Sequence, residues 1–239
     1  MDDRDTLPPL HVMPTRNRPL IGHTVLVVED SRYASEAVRL LSLRSGARIR
    51  RADCLKSARR HLQIYRPSIM IIDLGLPDGS GLGLIEELAC AVPRVPVILA
   101  SSGDDNTEAA ALAAGADGFL AKPILSLAAF QQAVLSQLPP ESRPPGPQSV
   151  SDERIEPDAL AYQDDMAYAA DVLADLSDDR ALDYAAQFIG GVARCADDAD
   201  LARAADELVR TRAIGAPVAQ NAARFAGLVQ QRTQRNRAI

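Results

Sequence analysis

Short apolar runs alternate with helical patterns along the first 138 residues of the chain. Runs of consecutive apolar residues, typical of strands covered on both faces, occupy positions 24–28, 68–72, 95–100 and 118–121. A weaker edge strand is centred on Ile49. Helical spacing of apolar residues connects these runs, as at Ala34, Val38 and Leu41, where Ser31 is the expected N-cap. This alternation predicts a parallel, doubly wound sheet with right-handed crossovers.

A proline-rich segment divides the chain. Five prolines lie between positions 139 and 147, which forbids a helix and favours an extended linker. We therefore predict an N-terminal extension (1–22), an α/β domain (23–138), a linker (139–152) and a separate helical domain (153–239).

The C-terminal region is alanine-rich and predicts about four helices. Pro157 suits a first helical position, Leu160 is expected on the first apolar stripe, and Ser177 is the expected N-cap of the second helix. The alanine-rich faces require close packing around a thin core, which favours a protein partner or a second copy of the chain. Gly190 and Gly191 weaken a helix unless a neighbouring helix packs there.

Composition excludes several classes of protein. The 239 residues are 47% hydrophobic and 24% charged, which is typical of globular domains. Three cysteines rule out a disulfide framework and fit a reducing compartment. No apolar run reaches the roughly 18 residues of a membrane helix, and positions 1–23 lack the apolar core of a secretory signal. We expect a soluble, cytoplasmic protein with no membrane partner.

Charge is segregated along the second half of the chain. Residues 151–208 hold 16 acidic and 4 basic side chains, whereas residues 209–239 hold six arginines and no acid. The arginines between Arg210 and Arg237 either neutralise their own acidic domain, which we favour, or bind an external acidic surface.

Polar residues collect where the predicted strands end. Glu29 and Asp30 follow one strand, and Asp73, Ser101 and Lys122 each follow another. Ligands of such sheets bind at the carboxyl ends of the strands. Three converging carboxylates need a hard divalent cation such as Mg²⁺, and a lysine with a hydroxyl suits phosphoryl oxygens. The pattern indicates phosphoryl transfer onto a carboxylate, with Asp73 as the nucleophile.

These segments resemble the receiver domain of two-component response regulators. The similarity runs from about residue 24 to residue 138, with four motifs in order: VVEDS (27–31), IIDLGLPDGSG (71–81), PVILASS (96–102) and GADGFLAKP (115–123). The resemblance implies the flavodoxin-like strand order 2-1-3-4-5, which receiver domains share with flavodoxin.

The resemblance also assigns the acceptor and the metal ligands. Asp73 would accept a phosphoryl group from a phosphohistidine on a sensor histidine kinase or a histidine phosphotransfer protein. Asp30 and Asp73 would bind Mg²⁺ directly, Glu29 would bind it through water, and the backbone carbonyl of Gly75 would complete the protein ligands. The protein would be a phosphoacceptor with self-phosphorylation and self-dephosphorylation chemistry, and no other enzyme activity is expected.

Three further residues take roles by resemblance. Lys122 and Ser101 would contact the phosphoryl oxygens, with a cis bond between Lys122 and Pro123. Ser101 and Phe119 would form the switch, in which the hydroxyl moves toward the phosphoryl group and the aromatic ring turns inward. Serine and phenylalanine replace the more frequent threonine and tyrosine, and these changes leave the site intact.

Each of these residues also has an ordinary structural explanation. Glu29 and Asp30 fit a solvated turn, Asp73 a helix cap, Lys122 a surface lysine and Phe119 a core residue. The four motifs, in order and each at a strand end, favour the functional interpretation, although a receiver that is never phosphorylated stays an alternative.

The output of the helical domain is open at this stage. We favour a domain that binds a protein or forms a homodimer, and keep a DNA-binding transcriptional regulator as the alternative, since basic helices flank Gly215. The three histidines are His11, His23 and His61, so an active phosphotransfer domain is excluded but a histidine-free relative is not.

Overall fold

A five-stranded parallel sheet forms the centre of the N-terminal domain. The computed structural model describes residues 13–146, 153–174 and 179–234. The strands are β1 (Thr24–Val28), β2 (Arg48–Ala52), β3 (Ile69–Asp73), β4 (Val97–Ser102) and β5 (Gly118–Ala121). Their spatial order, β2-β1-β3-β4-β5, is the predicted flavodoxin-like order, and all pairs are parallel. A two-residue hairpin (Gly75–Leu76 with Gly79–Ser80) lies outside this sheet.

Helices cover both faces of the sheet, as the continuous apolar strands require. They are α1 (Arg32–Arg44), α2 (Leu55–Ile64), α3 (Gly81–Ala89), α4 (Glu108–Ala113) and α5 (Leu127–Gln137). Along β1, Val25 and Val27 face a core shared with α1 and α5, while Leu26 and Val28 face a core shared with α2, α3 and α4. The alternation follows from the two-residue period of a strand.

Local signals fix the helix ends. The Ser31 hydroxyl accepts a hydrogen bond from the Ala34 amide at 2.9 Å, which confirms the predicted cap of α1. Gly81 begins α3 where a Cβ would lie 2.1 Å from the carbonyl oxygen of Asp73, so only glycine allows the loop after β3 to close this tightly.

The C-terminal region is a four-helix bundle within the part of the chain that the structure describes. Its helices are α6 (Ala159–Ala174), α7 (Asp179–Cys195), α8 (Ala199–Ala213) and α9 (Ala219–Gln234). Each packs against two others in a closed ring, around a core that includes Met166, Ile189 and Phe225. Gly190 brings α7 close to α8, since a Cβ there would lie 3.3 Å from the Cβ of Ala205. A neighbouring helix thus packs at Gly190, whereas a Cβ at Gly191 would meet nothing within 4 Å among the described residues.

Two details of the predicted first helix are wrong. Leu160 is 64% exposed, whereas Met166 and Ala169 form the buried stripe of α6. Pro157 lies before α6, and the helix is capped by Asp158, whose carboxylate accepts from the Leu160 amide. The predictions for Ser177, for residues 1–12 of the extension and for residues 147–152 of the linker lie outside the described residues. Among the described helices, none has the length and apolar content to cross a lipid bilayer.

The bundle docks on the first turn of α1. The buried carboxylate of Asp165, on α6, accepts hydrogen bonds from the Ser31 hydroxyl (2.8 Å) and from the backbone amides of Arg32 (2.8 Å) and Tyr33 (3.0 Å). These amides are among the four that every helix N-terminus leaves without an internal partner. The Tyr33 ring packs edge-on against Tyr162, with centroids 5.9 Å apart. A residue from one domain therefore completes a helix of the other.

The chain after the linker also returns to the α/β domain. The Ile155 side chain is buried in the core between the sheet and α5. Its amide donates to the carbonyl of Leu125, and the Leu127 amide donates to the carbonyl of Glu153. These contacts hold the entry to the bundle near the start of α5.

Asp165→Asn should loosen the docked bundle, because an amide NH₂ would face donors that now reach a carboxylate. We expect the amides of Arg32 and Tyr33 to exchange with solvent at least about tenfold faster, the scale of one lost charge-assisted hydrogen bond. Hydrogen exchange measured by NMR checks this.

Asp164→Asn is the matched control for that experiment. Asp164 pairs at 3.0 Å with Arg32 in an exposed ion pair, and such pairs contribute under about 1 kcal/mol. Equal acceleration in the two variants would contradict a specific role for Asp165.

Candidate functional site

Three carboxylates converge at the carboxyl edge of the sheet. Glu29 and Asp30 follow β1, and Asp73 is the last residue of the neighbouring β3. Each offers one carboxylate oxygen, and the three oxygens lie within 4.8 Å of one another. Glu29 is 3% and Asp73 is 7% exposed, so water screens their mutual repulsion poorly. The sequence prediction that these residues come together is met in the geometry.

Lys122 provides the positive charge inside this cluster. Its ammonium lies 2.7 Å from Glu29 and 2.9 Å from Asp73. Burial alone would lower the pKa of Lys122, but attraction to Asp73 and Glu29 outweighs burial and raises the pKa above its usual value. Lys122 follows β5, its amide donates to the Ser102 carbonyl at 2.8 Å, and the bond to Pro123 is cis, as the resemblance implied.

One lysine does not neutralise three acids. Burial raises the pKa of Glu29 well above its usual value, and repulsion from Asp73 adds to the rise against the attraction of Lys122. Burial also raises the pKa of Asp30 to about 6, while a hydrogen bond from Tyr184 opposes that rise. Ionising all the carboxylates therefore costs free energy that a divalent cation would recover. An all-oxygen donor set fits Mg²⁺, with Glu29, Asp30 and Asp73 as the residues that would hold it.

The remaining predicted residues surround Asp73. Ser101 is paired with Asp73 across β3 and β4, and its buried hydroxyl has no hydrogen-bond partner among the described residues. Phe119 on β5 is partly buried against the core. Gly75 lies beside this carboxylate, since a Cβ there would make an ordinary contact of 3.9 Å with Oδ2 of Asp73. The structure thus places all seven predicted residues at one edge of the sheet.

Nothing in the sequence indicates that the helical domain contributes to this site. The phenol of Tyr184, on α7, donates a 2.5 Å hydrogen bond to Oδ2 of Asp30. Burial raises the pKa of Tyr184, and the negative charge of Asp30 raises it further, so the phenol stays protonated as a donor. A further contact that the sequence does not predict comes from the α/β domain itself: Arg51, on β2, donates to the backbone carbonyls of Glu29 and Asp30.

A cavity of about 680 Å³ lies between the two domains at this point. The α/β domain contributes Asp30, Asp73 and Lys122 to its lining, and the bundle contributes Gln187 and Arg194 among others. Helix α7 therefore covers the candidate site.

The basic C-terminal segment pairs with the acidic bundle that precedes it. Arg224 contacts Glu207 at 3.0 Å and Arg232 contacts Asp198 at 2.9 Å, and Arg212 contacts Asp183. These pairs agree with the favoured interpretation that the arginines neutralise their own domain.

Comparison with known proteins matches the α/β domain. Residues 25–134 match the family model described as the response regulator receiver domain. The KDP operon transcriptional regulatory protein KdpE of Escherichia coli is 36% identical over 101 residues, which are 41% of this chain and 44% of that protein. The probable transcriptional regulatory protein TcrX of Mycobacterium tuberculosis is 35% identical over 101 residues, 42% of this chain and 43% of that protein. The chain thus spans less than half of each of these curated relatives.

Solved structures are similar over the same fraction of the chain. A putative response regulator from Chloroflexus aurantiacus is 30% identical, with a TM-score of 0.39, and the match covers 42% of this chain and 85% of that one. A CheY-like response regulator receiver domain from Methylobacillus flagellatus is 28% identical, with a TM-score of 0.44, and the match covers 48% of this chain and 98% of that one. The family model ends before the bundle begins.

Asp30→Asn should weaken Mg²⁺ binding by at least about tenfold, because a neutral amide replaces a charged oxygen ligand. Isothermal titration with MgCl₂ measures this. The control is Glu86→Gln, which neutralises an exposed acid on α3 and should leave the affinity unchanged. Equal affinities of wild type and Asp30→Asn would contradict the assigned metal site.

Proposed function

Because residues 25–134 form a response regulator receiver domain, we propose that this chain is a two-component response regulator whose phosphoacceptor is Asp73. The donor would be a phosphohistidine on a sensor histidine kinase or a histidine phosphotransfer protein. The observation that carries the proposal is the contact of Lys122 with both Glu29 and Asp73 inside a buried acidic cluster. A surface lysine and solvated turn carboxylates would not be held together in this way.

In the proposed transfer, a carboxylate oxygen of Asp73 attacks the phosphorus of the donor. The new O–P bond forms as the P–N bond of the phosphohistidine breaks, and the leaving imidazole nitrogen keeps the electron pair. Lys122 stands 2.9 Å from Asp73, where its charge would stabilise the phosphoryl oxygens. Mg²⁺ would neutralise the negative charge that collects on the acids and on the phosphoryl group. Hydrolysis of the acyl phosphate would reset the site, with no other enzyme activity.

Ser101 and Phe119 would carry the signal inside the receiver. The Ser101 hydroxyl is buried beside Asp73 and has no partner in the described part of the chain, so a phosphoryl oxygen would satisfy it. Phe119 lies opposite Ala100, next to Ser101, and its ring is only partly buried, so a change of its position disturbs little of the core. A population shift of this pair would alter the edge formed by β4 and β5.

We propose that the helical bundle is the output domain and that the phosphorylation state of Asp73 alters how it docks. Tyr184 binds Asp30 directly, so whatever alters the charge at Asp30 acts on a contact between the domains. Docking and phosphorylation would then be linked with a reciprocal coupling free energy. A change in docking would alter which faces of the bundle a protein partner or a second copy of the chain can reach.

A DNA-binding output is the second candidate, favoured by the names of the transcriptional regulators KdpE and TcrX. The ion pairs of Arg224 and Arg232 within the bundle count against it, since those charges are already partnered. A gel-shift assay with genomic fragments separates the candidates: DNA affinity that falls steeply with salt would favour the regulator of transcription.

Incubation with acetyl phosphate and Mg²⁺ should add a phosphoryl group to the wild-type chain, and Asp73→Asn should abolish the adduct because the nucleophilic carboxylate is gone. Intact mass spectrometry measures the adduct. Asp105→Asn, which neutralises an exposed acid near the same sheet edge, should be phosphorylated like wild type. An adduct of equal yield on Asp73→Asn would contradict the assignment of Asp73 as the phosphoacceptor.

A further inference from the structure

The cavity over Asp73 has a basic residue from the bundle in its wall. Arg194, in the last turn of α7, lines the cavity together with Asp73, Lys122 and the loop at Ser102 and Gly103. An arginine of one domain therefore shares a cavity with the candidate acceptor of the other.

The guanidinium of Arg194 is held between the two domains. Nη1 donates to Asp206 on α8 at 2.8 Å, and Nη2 lies against Gly103, where a Cβ would stand 3.2 Å away. Nε is buried and has no hydrogen-bond partner among the residues that the structure describes. A buried N–H without a partner is costly, and a second acceptor at this place would satisfy it.

We propose that Arg194 binds the phosphoryl group on Asp73, so that phosphorylation strengthens the docking of the bundle onto the receiver domain. This inference rests on the proposed function, because it requires Asp73 to be the phosphoacceptor. It adds a phosphoryl-binding residue from outside the receiver and gives the direction of the coupling.

The charges around the acceptor favour this direction. Lys122 already contacts Glu29 and Asp73, so one lysine must serve two carboxylates before any phosphoryl group arrives. A phosphoryl group adds between about −1.5 and −2 charges at pH 7 and three acceptor oxygens. The planar fork of an arginine binds such oxygens through two hydrogen bonds at once, which a lysine cannot do.

Asp206 is the group that competes for Arg194. Its carboxylate is about half exposed, so water weakens its attraction for the guanidinium. A phosphoryl group inside the cavity carries more charge and is less hydrated there. Arg194 should therefore keep its place and use its free donor, or exchange Asp206 for the phosphoryl oxygens.

The amides of Arg32 and Tyr33 report on docking, because both donate to Asp165 of the bundle and lose that acceptor when the domains separate. Addition of beryllofluoride with Mg²⁺, as a mimic of the phosphoryl group, should slow their exchange with solvent about tenfold in the wild-type chain, the scale of one charge-assisted hydrogen bond. Arg194→Gln should abolish the slowing. Arg203→Gln removes an exposed arginine that pairs with Asp200 on α8, and should retain the slowing.

Two more variants distinguish the loss of the Arg194 contact from a general loss of folding. Arg194→Lys keeps the charge and should retain part of the slowing, whereas Asp206→Asn frees the guanidinium and should retain all of it. Unchanged or faster exchange in wild type, or full slowing in Arg194→Gln, would overturn the inference.

The adduct measured with acetyl phosphate separates the two proposals. If Asp73 is phosphorylated but docking does not respond, only the role of Arg194 fails. If Asp73 is never phosphorylated, the proposed function fails.

Discussion

The convergence of three carboxylates, two buried and one partly buried, is the constraint on which this structure depends. Glu29, Asp30 and Asp73 are brought together because parallel strands end at the same edge of the sheet. Lys122 offsets part of their charge from the end of a third strand. Burial raises the pKa of Glu29 and of Asp30, and repulsion from Asp73 adds to the rise. A divalent cation would offset this negative charge, whereas a further negative charge on the site would add to it.

The helical bundle makes that electrostatic site part of a domain interface. Tyr184 donates to one of the three acids, Asp165 completes the first turn of the helix that follows them, and Arg194 reaches the cavity above them. Interfaces within a chain are commonly polar and allow domain movement. Polar side chains of the bundle therefore reach the candidate site directly.

The sequence predicts the strand order of the sheet and the convergence of the candidate site residues, but it does not predict the domain interface. The continuous apolar run at 24–28 identifies β1 to the residue, because a strand covered on both faces has no polar positions to confuse the pattern. Asp165 lies beside the buried stripe of α6 and has the pattern of a surface acid, since only another domain supplies its donors. The prediction that Leu160 is buried is wrong because Leu160 lies in the first turn of α6. The spacing of apolar residues along the chain does not show whether other helices extend far enough to cover that turn. Contacts between domains depend on surfaces whose pairing leaves no periodic signal along the chain.

The most direct test locates the acyl phosphate itself. Borohydride reduction of the chain after treatment with acetyl phosphate and Mg²⁺ converts a phosphorylated aspartate to homoserine, and peptide sequencing by mass spectrometry then gives its position. We expect homoserine at position 73 when Mg²⁺ is present, and little or none when the metal is removed by a chelator. Homoserine at another aspartate, or none at all with Mg²⁺ present, would contradict it.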